Sequence, residues 1–134
     1  MKLTTKSEYA LLALIYLARH DGNGTYVKIE DICGEYDISK KYLEQIFISL
    51  KQARYIKAKR GSSGGYSLAK APQRITVAEV IRLMDGALAP DLSVSKYFYS
   101  KTPVEKEKKV MNFLSDIREY ITRKVEKLRI SDLV

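Results

Sequence analysis

The chain has 134 residues, of which 46% are hydrophobic and 30% are charged, a composition typical of globular proteins. This length suits one compact domain, or one small domain with a dimerising extension. The longest apolar run, Tyr9 to Ala18, is too short to cross a bilayer, so no membrane partner is expected. The single cysteine excludes an intramolecular disulfide framework and suits a reducing cytoplasm, where we expect the protein to reside.

The first predicted helix is apolar on nearly every side. Thr5-Lys6-Ser7-Glu8 has the pattern of a capping box, and Gly22-Asn23-Gly24 ends the helix after about Asp21. Two observations argue against a signal peptide: the acidic residue Glu8 lies at the start of the apolar run, and no small-x-small cleavage site appears. A helix that is apolar all round is buried on all sides, so we expect a second neighbour, for which a partner subunit is the simple candidate.

A helix-turn-helix unit is predicted next. Tyr26-Val27 forms a short strand, and Asp37-Ile38 makes a tight turn between two helices. The first of these helices has an apolar face made of Ile29, Ile32, Cys33 and Tyr36. Cys33 is therefore interpreted as a small core residue, and a redox role would need exposure or a lowered pKa.

The helix predicted over residues 39–53 separates an apolar face from a polar one. The apolar stripe has helical spacing and consists of Leu43, Ile46, Phe47, Leu50 and Ala53. The opposite face carries Ser39, Lys40, Lys41, Glu44, Gln45 and Gln52. Ser39 suits the N-cap position. Cations beside groups that can hydrogen-bond base edges are typical of a recognition helix in a major groove, although a solvated helix face has the same pattern.

A basic, glycine-rich hairpin is predicted directly after this helix. Residues 56–59 and 66–68 alternate as half-buried strands, with Ile56, Ala58, Tyr66 and Leu68 turned inward. The tip between the strands reads Arg60-Gly61-Ser62-Ser63-Gly64-Gly65, and its glycines allow a tight turn close to a surface. Arg60 is placed to reach into a narrow minor groove. A helix followed by a basic hairpin is the layout of a winged helix-turn-helix.

The positive charge is concentrated in residues 38–74. This stretch holds nine Lys and Arg residues and one acid, Glu44, so its net charge of +8 equals that of the whole chain. Such a local excess predicts binding to a polyanion, here double-stranded DNA. Docking of an acidic protein on the same surface is the alternative. The sequence offers no nucleophile–base pair, metal-ligand set or phosphate loop, so we do not expect an enzyme.

The C-terminal part is predicted to contain two helices joined by a loop. Thr76-Val77-Ala78-Glu79 is a second capping box, and the helix that it opens ends at Gly86. Residues 87–102 lack a clear period; within them, Tyr97-Phe98-Tyr99 is assigned to a dimer seam rather than to an effector pocket. Thr102-Pro103-Val104-Glu105 opens a long final helix.

The final helix carries an apolar stripe opposite a charged face. The stripe consists of Val110, Leu114, Ile117, Ile121, Val125 and Leu128. So long a stripe needs a long partner surface, so we expect a homodimer, with folding back onto its own domain as the alternative. The predicted fold is mainly α with a small β hairpin: a winged helix-turn-helix domain over residues 1–86, a connecting loop over 87–103, and a dimerisation helix and tail over 104–134.

Several motifs in the sequence are similar to those of a known family. They are MKLTTKSEYAL at the start, SKKYLEQIF at residues 39–47, KRGSSGGYSLA at residues 59–69, and the tail ISDLV. The chain resembles the Rrf-two family of bacterial winged-helix transcription regulators, the group of IscR, NsrR and CymR. The resemblance covers residues 1 to about 86 closely and the rest loosely.

The resemblance implies a homodimer, crossed through the long helix, that binds partly palindromic operator DNA and represses transcription. It places Glu44 and Gln45 at base contacts, with Ser39 and Tyr42 beside them. It places Arg60 and Gly61 in the minor groove, and Lys6 and Ser7 near a phosphate. The resulting DNA-binding assignment is Lys6, Ser39, Lys40, Lys41, Tyr42, Glu44, Gln45, Lys59, Arg60, Gly61, Ser62 and Ser63.

The segment before the dimer helix departs from one branch of the family. Iron–sulfur members carry three cysteines there, whereas residues 87–107 contain none. A cluster needs several thiolates or imidazoles, and the chain offers only Cys33 and His20. The chain therefore resembles the cluster-free members, for which no cofactor is expected, and the sequence does not identify the effector.

Overall fold

The computed structural model describes residues 2–134 and confirms a mainly helical fold with one small hairpin. Its described helices and strands are α1 (Thr5–Arg19), α2 (Ile29–Tyr36), α3 (Lys40–Gln52), β1 (Ile56–Lys59), β2 (Gly65–Leu68), α4 (Val77–Asp85) and α5 (Lys108–Lys127). Short 3₁₀ turns occupy Pro72–Arg74, Leu92–Val94, Pro103–Lys106 and Ile130–Leu133, the last of which we call the C-terminal turn. None of the described helices combines the length and apolar character needed to span a bilayer.

The turn between α2 and α3 forms as predicted. Asp37 ends α2 in the left-handed region with a φ of +54°, a conformation that Asp tolerates better than most residues. The N–H of Ile38 donates to the carbonyl of Cys33 at 3.1 Å, and the Ser39 hydroxyl then accepts from the N–H of Tyr42 at 3.4 Å. Ser39 is therefore the N-cap of α3, as its sequence position indicated.

The hairpin pairs β1 with β2 in antiparallel register, from Ile56 opposite Leu68 to Lys59 opposite Gly65. Val27 adds a single bridge through two 2.8 Å backbone hydrogen bonds with Tyr66, which confirms a minimal third strand. The predicted inward position of Ala58 is wrong, because only the first residue of β1 reaches the core and Ala58 is exposed.

We call the hairpin, residues 56–68, the wing. Close backbone packing requires two of the glycines at its tip. A Cβ atom on Gly64 would lie 2.0 Å from the carbonyl oxygen of Lys59, and one on Gly65 would lie 2.4 Å from that of Val27. Both neighbours are main-chain atoms that cannot swing aside. The glycines in this motif therefore close the hairpin, in addition to bringing its backbone near a surface.

Helix α1 begins one residue earlier than predicted, with Thr4 as its N-cap. The Thr4 hydroxyl accepts from the N–H of Ser7 at 3.3 Å, so the capping box assigned to Thr5 is wrong. Asp85, at the end of α4, accepts hydrogen bonds from both the N–H and the hydroxyl of Thr4. This carboxylate orders the extended residue before the helix, which explains why the cap lies at Thr4.

Helix α1 lies at the centre of the domain, and its neighbours belong to its own chain. It packs against α3 on one side and against α4 and the C-terminal turn on another. The fully buried apolar residues of α1 are Ala10, Ala13, Leu14 and Leu17. The same chain therefore supplies a second neighbour for this helix, because its C-terminal turn returns to cover α1.

The last helix begins later than predicted. Pro103 opens a 3₁₀ turn, the Thr102 hydroxyl donates to Asp91 at 3.1 Å instead of capping a helix, and α5 starts at Lys108 after Glu107. The apolar stripe of α5 is also divided. Val125 and Leu128 pack against the buried side chains of α4 in the same chain, whereas Val110 is exposed.

The C-terminal turn is part of the winged-helix core. Ile130 is fully buried, and its N–H donates to the carbonyl of Ile75 at 2.9 Å. The N–H of Val77 donates to the carbonyl of Leu128 at 2.8 Å, and Thr76 forms a bridge with Arg129. The tail that the sequence pattern grouped with the dimerisation helix thus completes the first domain.

Candidate nucleic-acid interface

Helix α3 presents a polar face outside the core. Its buried residues are Leu43, Ile46, Phe47 and Leu50, which anchor the helix against α1 and β1. The exposed side carries Lys40, Lys41, Tyr42, Glu44 and Gln45. Ala53, predicted to extend the apolar stripe, is exposed because the helix ends there. The structure therefore leaves this polar face accessible to another molecule.

The start of α1 lies beside this exposed face. Lys6 shares a shallow surface depression with Tyr42, Gln45, Ile46 and Ser49 of α3. The rings of Tyr9 and Tyr42 meet edge to face with 5.6 Å between their centroids, which fixes α1 against α3. A cation from the first helix is thereby placed next to the amide of Gln45.

Unlike the exposed side chain of Lys6, the side chain of Ser7 does not reach the surface. Its side chain is fully buried, and its hydroxyl oxygen makes no hydrogen bond to the described residues. The phosphate contact that the resemblance assigned to Ser7 is therefore wrong.

The wing tip is exposed and held from beneath. Lys59, Arg60, Gly61, Ser62 and Ser63 are all exposed, and Gly61 has a φ of +101°, which favours glycine. The ring of Tyr66 in β2 packs on Phe47 of α3 with 4.6 Å between their centroids. This contact joins the wing to α3 through the core.

Two supporting residues of the wing had no signal in the sequence. The ammonium group of Lys28 donates to the carbonyl of Gly61 at 3.4 Å, and that of Lys59 lies 5.6 Å from the centroid of the Tyr26 ring. Both contacts come from the segment before α2, more than thirty positions away in the chain. These two contacts form only because the fold places Val27 against β2, so the sequence alone does not predict them.

The cations of the surface differ in how they are paired. Lys40 forms an ion pair with Glu30 at 2.8 Å, and this hydrogen bond raises the pKa of the lysine and lowers the pKa of the carboxyl. Both side chains are exposed, so the pair is weak and phosphate can compete for the lysine. Among residues 2–134, no ion pair involves Lys6, Lys41, Lys59 or Arg60.

The metal-binding side chains of the described chain are dispersed. No group of three His, Cys, Asp or Glu residues that could hold a metal ion occurs in the part of the chain that the structure describes. The half-buried thiol of Cys33 has a raised pKa, first because of burial and then because of nearby Glu30. The His20 ring stacks on Tyr16 and has its Nδ1 2.8 Å from the carbonyl oxygen of Tyr16.

Known proteins are similar to this chain in both sequence and fold. HTH-type regulator CymR of Bacillus subtilis is 37% identical over 90 residues, which are 67% of this chain and 64% of CymR. HTH-type regulator IscR of Cereibacter sphaeroides is 40% identical over 86 residues, which are 63% of this chain and 56% of IscR. The matched stretch therefore spans less than two thirds of these curated relatives.

The structural match extends further along the chain. The solved structure of CymR, the global cysteine regulator of B. subtilis, superposes with a TM-score of 0.78 at 28% identity, and the match covers 99% of this chain and 95% of that one. These relatives are transcriptional regulators, in agreement with the prediction that the chain is not an enzyme.

The family model that matches residues 3–134 is Rrf2 (Rrf-two), described as an iron-dependent transcriptional regulator. The donor set described above does not fit an iron–sulfur cluster, because residues 87–107 contain no cysteine and no three metal-binding side chains among residues 2–134 converge. The match nevertheless covers almost the whole chain and agrees with the winged-helix fold. The chain therefore belongs to the Rrf2 family of transcriptional regulators.

Proposed function

We propose that the chain is a homodimeric, sequence-specific DNA-binding regulator that recognises a partly palindromic operator and represses transcription. One observation carries the proposal: the exposed face of α3 presents Tyr42, Glu44 and Gln45 beside the cation of Lys6. Hydrogen-bonding groups and positive charge are needed together, because base edges specify the site and phosphates supply much of the affinity.

Helix α3 acts as the recognition helix in the major groove. The Gln45 amide can donate and accept at the edge of an adenine, and the Glu44 carboxylate can accept from a cytosine amino group. Lys41 and Lys6 approach the phosphates on either side of the groove. Because α3 is anchored by four buried apolar residues, these groups are presented on a rigid element.

The wing makes the second contact with the duplex. Arg60 enters the minor groove, and the small residues of the tip let the backbone approach the sugar–phosphate chain. The hydrogen bond from Lys28 to Gly61 and the packing of Tyr66 on Phe47 hold the tip relative to α3. Two contact points of fixed separation define the register of the protein on DNA.

A second copy of the chain covers the exposed apolar face of α5. Phe113 and Tyr120 are 61% and 62% exposed, and Val110 lies on the same side at 40%. Side chains of this size are rarely left in water as a continuous stripe. A two-fold dimer through α5 presents two recognition helices, and such symmetry requires related half-sites in the operator.

Repression rests on the family resemblance. A dimer bound across a promoter excludes the polymerase without any further activity. A reporter gene placed behind a bound DNA fragment should be expressed less when the protein is present. Higher expression in the presence of the protein would show an activator instead.

DNA recognition is tested with fragments selected by the purified protein and two substitutions in α3 and the wing. Gln45→Ala should flatten the preference among selected fragments by about 1–3 kcal/mol. Arg60→Ala should weaken binding to all of them. Lys108→Ala, which removes an exposed cation at the start of α5, is the control and should leave both properties unchanged.

The same assay separates DNA binding from protein docking. If Gln45→Ala and Arg60→Ala bind as the parent does, the assigned roles are wrong. If an acidic protein binds this surface and duplex DNA cannot displace it, the surface is a protein-docking module. Affinity for DNA that falls steeply with added salt supports phosphate contacts.

The dimer is tested by sedimentation of the parent and two α5 variants. Phe113→Asp places a charge on the exposed apolar stripe and should shift the protein towards the monomer. Asn112→Asp adds the same charge at an adjacent exposed position and should leave the dimer intact. A monomeric parent, or equal behaviour of the two variants, would contradict dimerisation through this face.

A further inference from the structure

A small basic pocket lies between α4, residues 95–98 and α5, and none of its lining residues belongs to α3 or to the hairpin. Three of its lining side chains are cations: Arg82 from α4, Lys96 from the connecting segment and Arg118 from α5. No carboxylate lines the pocket among the described residues. Three converging positive charges without an anion between them repel one another, which favours binding of an anion.

The hydrogen-bonding groups of the pocket are donors with spare capacity. The Nε of Arg118 is buried and has no hydrogen-bond partner among the described residues. Leaving such a donor unpaired is unfavourable, so a ligand oxygen that reaches it after a small movement of the side chain gains a hydrogen bond. The buried hydroxyl of Ser95 accepts from the N–H of Phe98 at 3.0 Å, which leaves its own proton available.

The carboxylates near the arginines leave part of each guanidinium free. Glu126 binds Nη2 of Arg82 at 2.7 Å, and Glu119 binds Nη2 of Arg118 at 2.8 Å. A guanidinium has five N–H donors, so neither pair exhausts its arginine. Lys96 takes part in no ion pair among residues 2–134, and its charge remains uncompensated.

The shape of the pocket selects a particular kind of anion. The pocket is partly open, and its volume of about 10 Å³ leaves room for the centre of one water-sized group, which suits a carboxylate oxygen better than a whole sulfate or phosphate. Leu88 lines the inside, and the exposed rings of Tyr97 and Phe98 lie at the rim. A carboxylate would enter while the apolar part of the same molecule lies along these rings.

We propose that this pocket binds the carboxylate of a small organic acid, with the guanidinium groups of Arg118 and Arg82 as its principal donors. The ring of Tyr97 lies 4.7 Å from the Arg82 guanidinium carbon and 5.2 Å from the Lys96 ammonium, measured to the ring centroid. It holds both cations at the entrance. Binding of the acid does not depend on the proposed function, but its role as a signal rests on it.

The pocket is connected to the wing through α4. Arg82 lies one helical turn after Glu79, and Glu79 accepts hydrogen bonds from Tyr55 and Lys70 at the two ends of the hairpin. An anion bound at Arg82 acts directly on α4, which lies between α5 and the wing. We therefore expect the organic acid to alter DNA affinity.

The test is ¹⁵N NMR of the arginine Nε–H groups during titration with sodium benzoate, at constant sodium chloride. The Arg118 signal, identified by its absence in Arg118→Lys, should shift and saturate. Arg118→Gln should weaken binding about tenfold or more, as expected for the loss of a charge-assisted hydrogen bond. Arg123→Gln, on an exposed position of the same helix, is the control and should bind benzoate as the parent does.

Three results would overturn the proposal. They are the absence of a saturable shift in the parent protein, equal loss of affinity in Arg118→Gln and Arg123→Gln, and saturation by sodium sulfate but not by benzoate. The last would indicate a site for inorganic anions. The NMR titration needs no DNA, so failure of the chain to bind DNA would refute the proposed function while leaving the benzoate result standing.

Discussion

The Tyr55 hydroxyl donates a hydrogen bond to Oε1 of Glu79 at 3.2 Å, which ties the start of the hairpin to α4. The same oxygen accepts from the Lys70 ammonium at 3.3 Å. The other oxygen, Oε2, accepts from the N–H and the hydroxyl of Thr76 at 2.7 and 2.8 Å. Burial, reinforced by Glu79, raises the pKa of Tyr55 to about 12, so its hydroxyl remains a donor at neutral pH. One carboxylate therefore joins both ends of the wing to the N-terminus of α4.

Stability should depend on the ionisation of Glu79. Burial raises the pKa of its carboxyl, but the bonds from Thr76 and Lys70 outweigh burial and leave the pKa below the ordinary value of 4.5. A carboxyl whose pKa is lowered by folding stabilises the folded state above its unfolded pKa. This contribution should be lost as the pH falls below about 4.5 and through the folded pKa.

Urea unfolding of the parent and of Glu79→Gln, at neutral pH and below pH 4, measures this contribution. The difference in unfolding free energy between the two proteins should be largest at neutral pH and should shrink in acid. The glutamine variant provides the control, because every other carboxyl titrates equally in both proteins. A difference that stays constant with pH would show that the charge of Glu79 does not stabilise the fold.

Replacement of Gly64 should disrupt the wing. In Gly64→Ala the new Cβ would meet the Lys59 carbonyl oxygen at 2.0 Å, so the turn must open, and we expect a loss of about 1–3 kcal/mol in unfolding free energy. DNA affinity should fall as well. Gly34→Ala is the matched control, because Gly34 lies in α2 with open space around its Cβ position and should gain about 0.5–1 kcal/mol. Thermal unfolding with the opposite order of stability would contradict this account.

The C-terminal turn should contribute to the stability of the winged helix. Ile130 is fully buried in the main core, so Ile130→Ala should lower the unfolding free energy by about 2–5 kcal/mol. Val134, four residues later, is exposed, and Val134→Ala should change it by less than about 0.5 kcal/mol. Chemical denaturation of both variants measures the difference. Similar values for the two would mean that the tail is not part of the cooperative core.

Cys33 should react slowly in the folded protein. Burial and nearby Glu30 raise the pKa of its thiol, so the thiolate that attacks alkylating reagents is scarce at neutral pH. Mass spectrometry should show slower modification by iodoacetamide in buffer than in urea. Peroxide treatment should leave DNA affinity unchanged. Equal alkylation rates in the two conditions would point to an exposed thiol and restore the redox interpretation.

The amino-acid sequence by itself determined the local elements whose causes are local. Helical spacing predicted the buried face of α3, Ser39 its cap, Asp37 the preceding turn, and Thr76 with Glu79 the start of α4. The glycine-rich motif predicted the wing. These features depend on residues within one or two turns of each other, so periodicity and turn chemistry are sufficient to identify them.

Tertiary structure alone decided what covers each apolar surface. Helix α1 is central because Ile130 returns from the far end of the chain, and the α5 stripe is divided because Val125 and Leu128 reach α4. The basic pocket likewise needs Arg82 and Arg118, which are brought together only by the packing of α4 on α5. The sequence shows that an apolar or charged side chain needs a partner, but it does not identify that partner. Hydrophobic and Coulomb interactions depend on distance in space and not on separation along the chain.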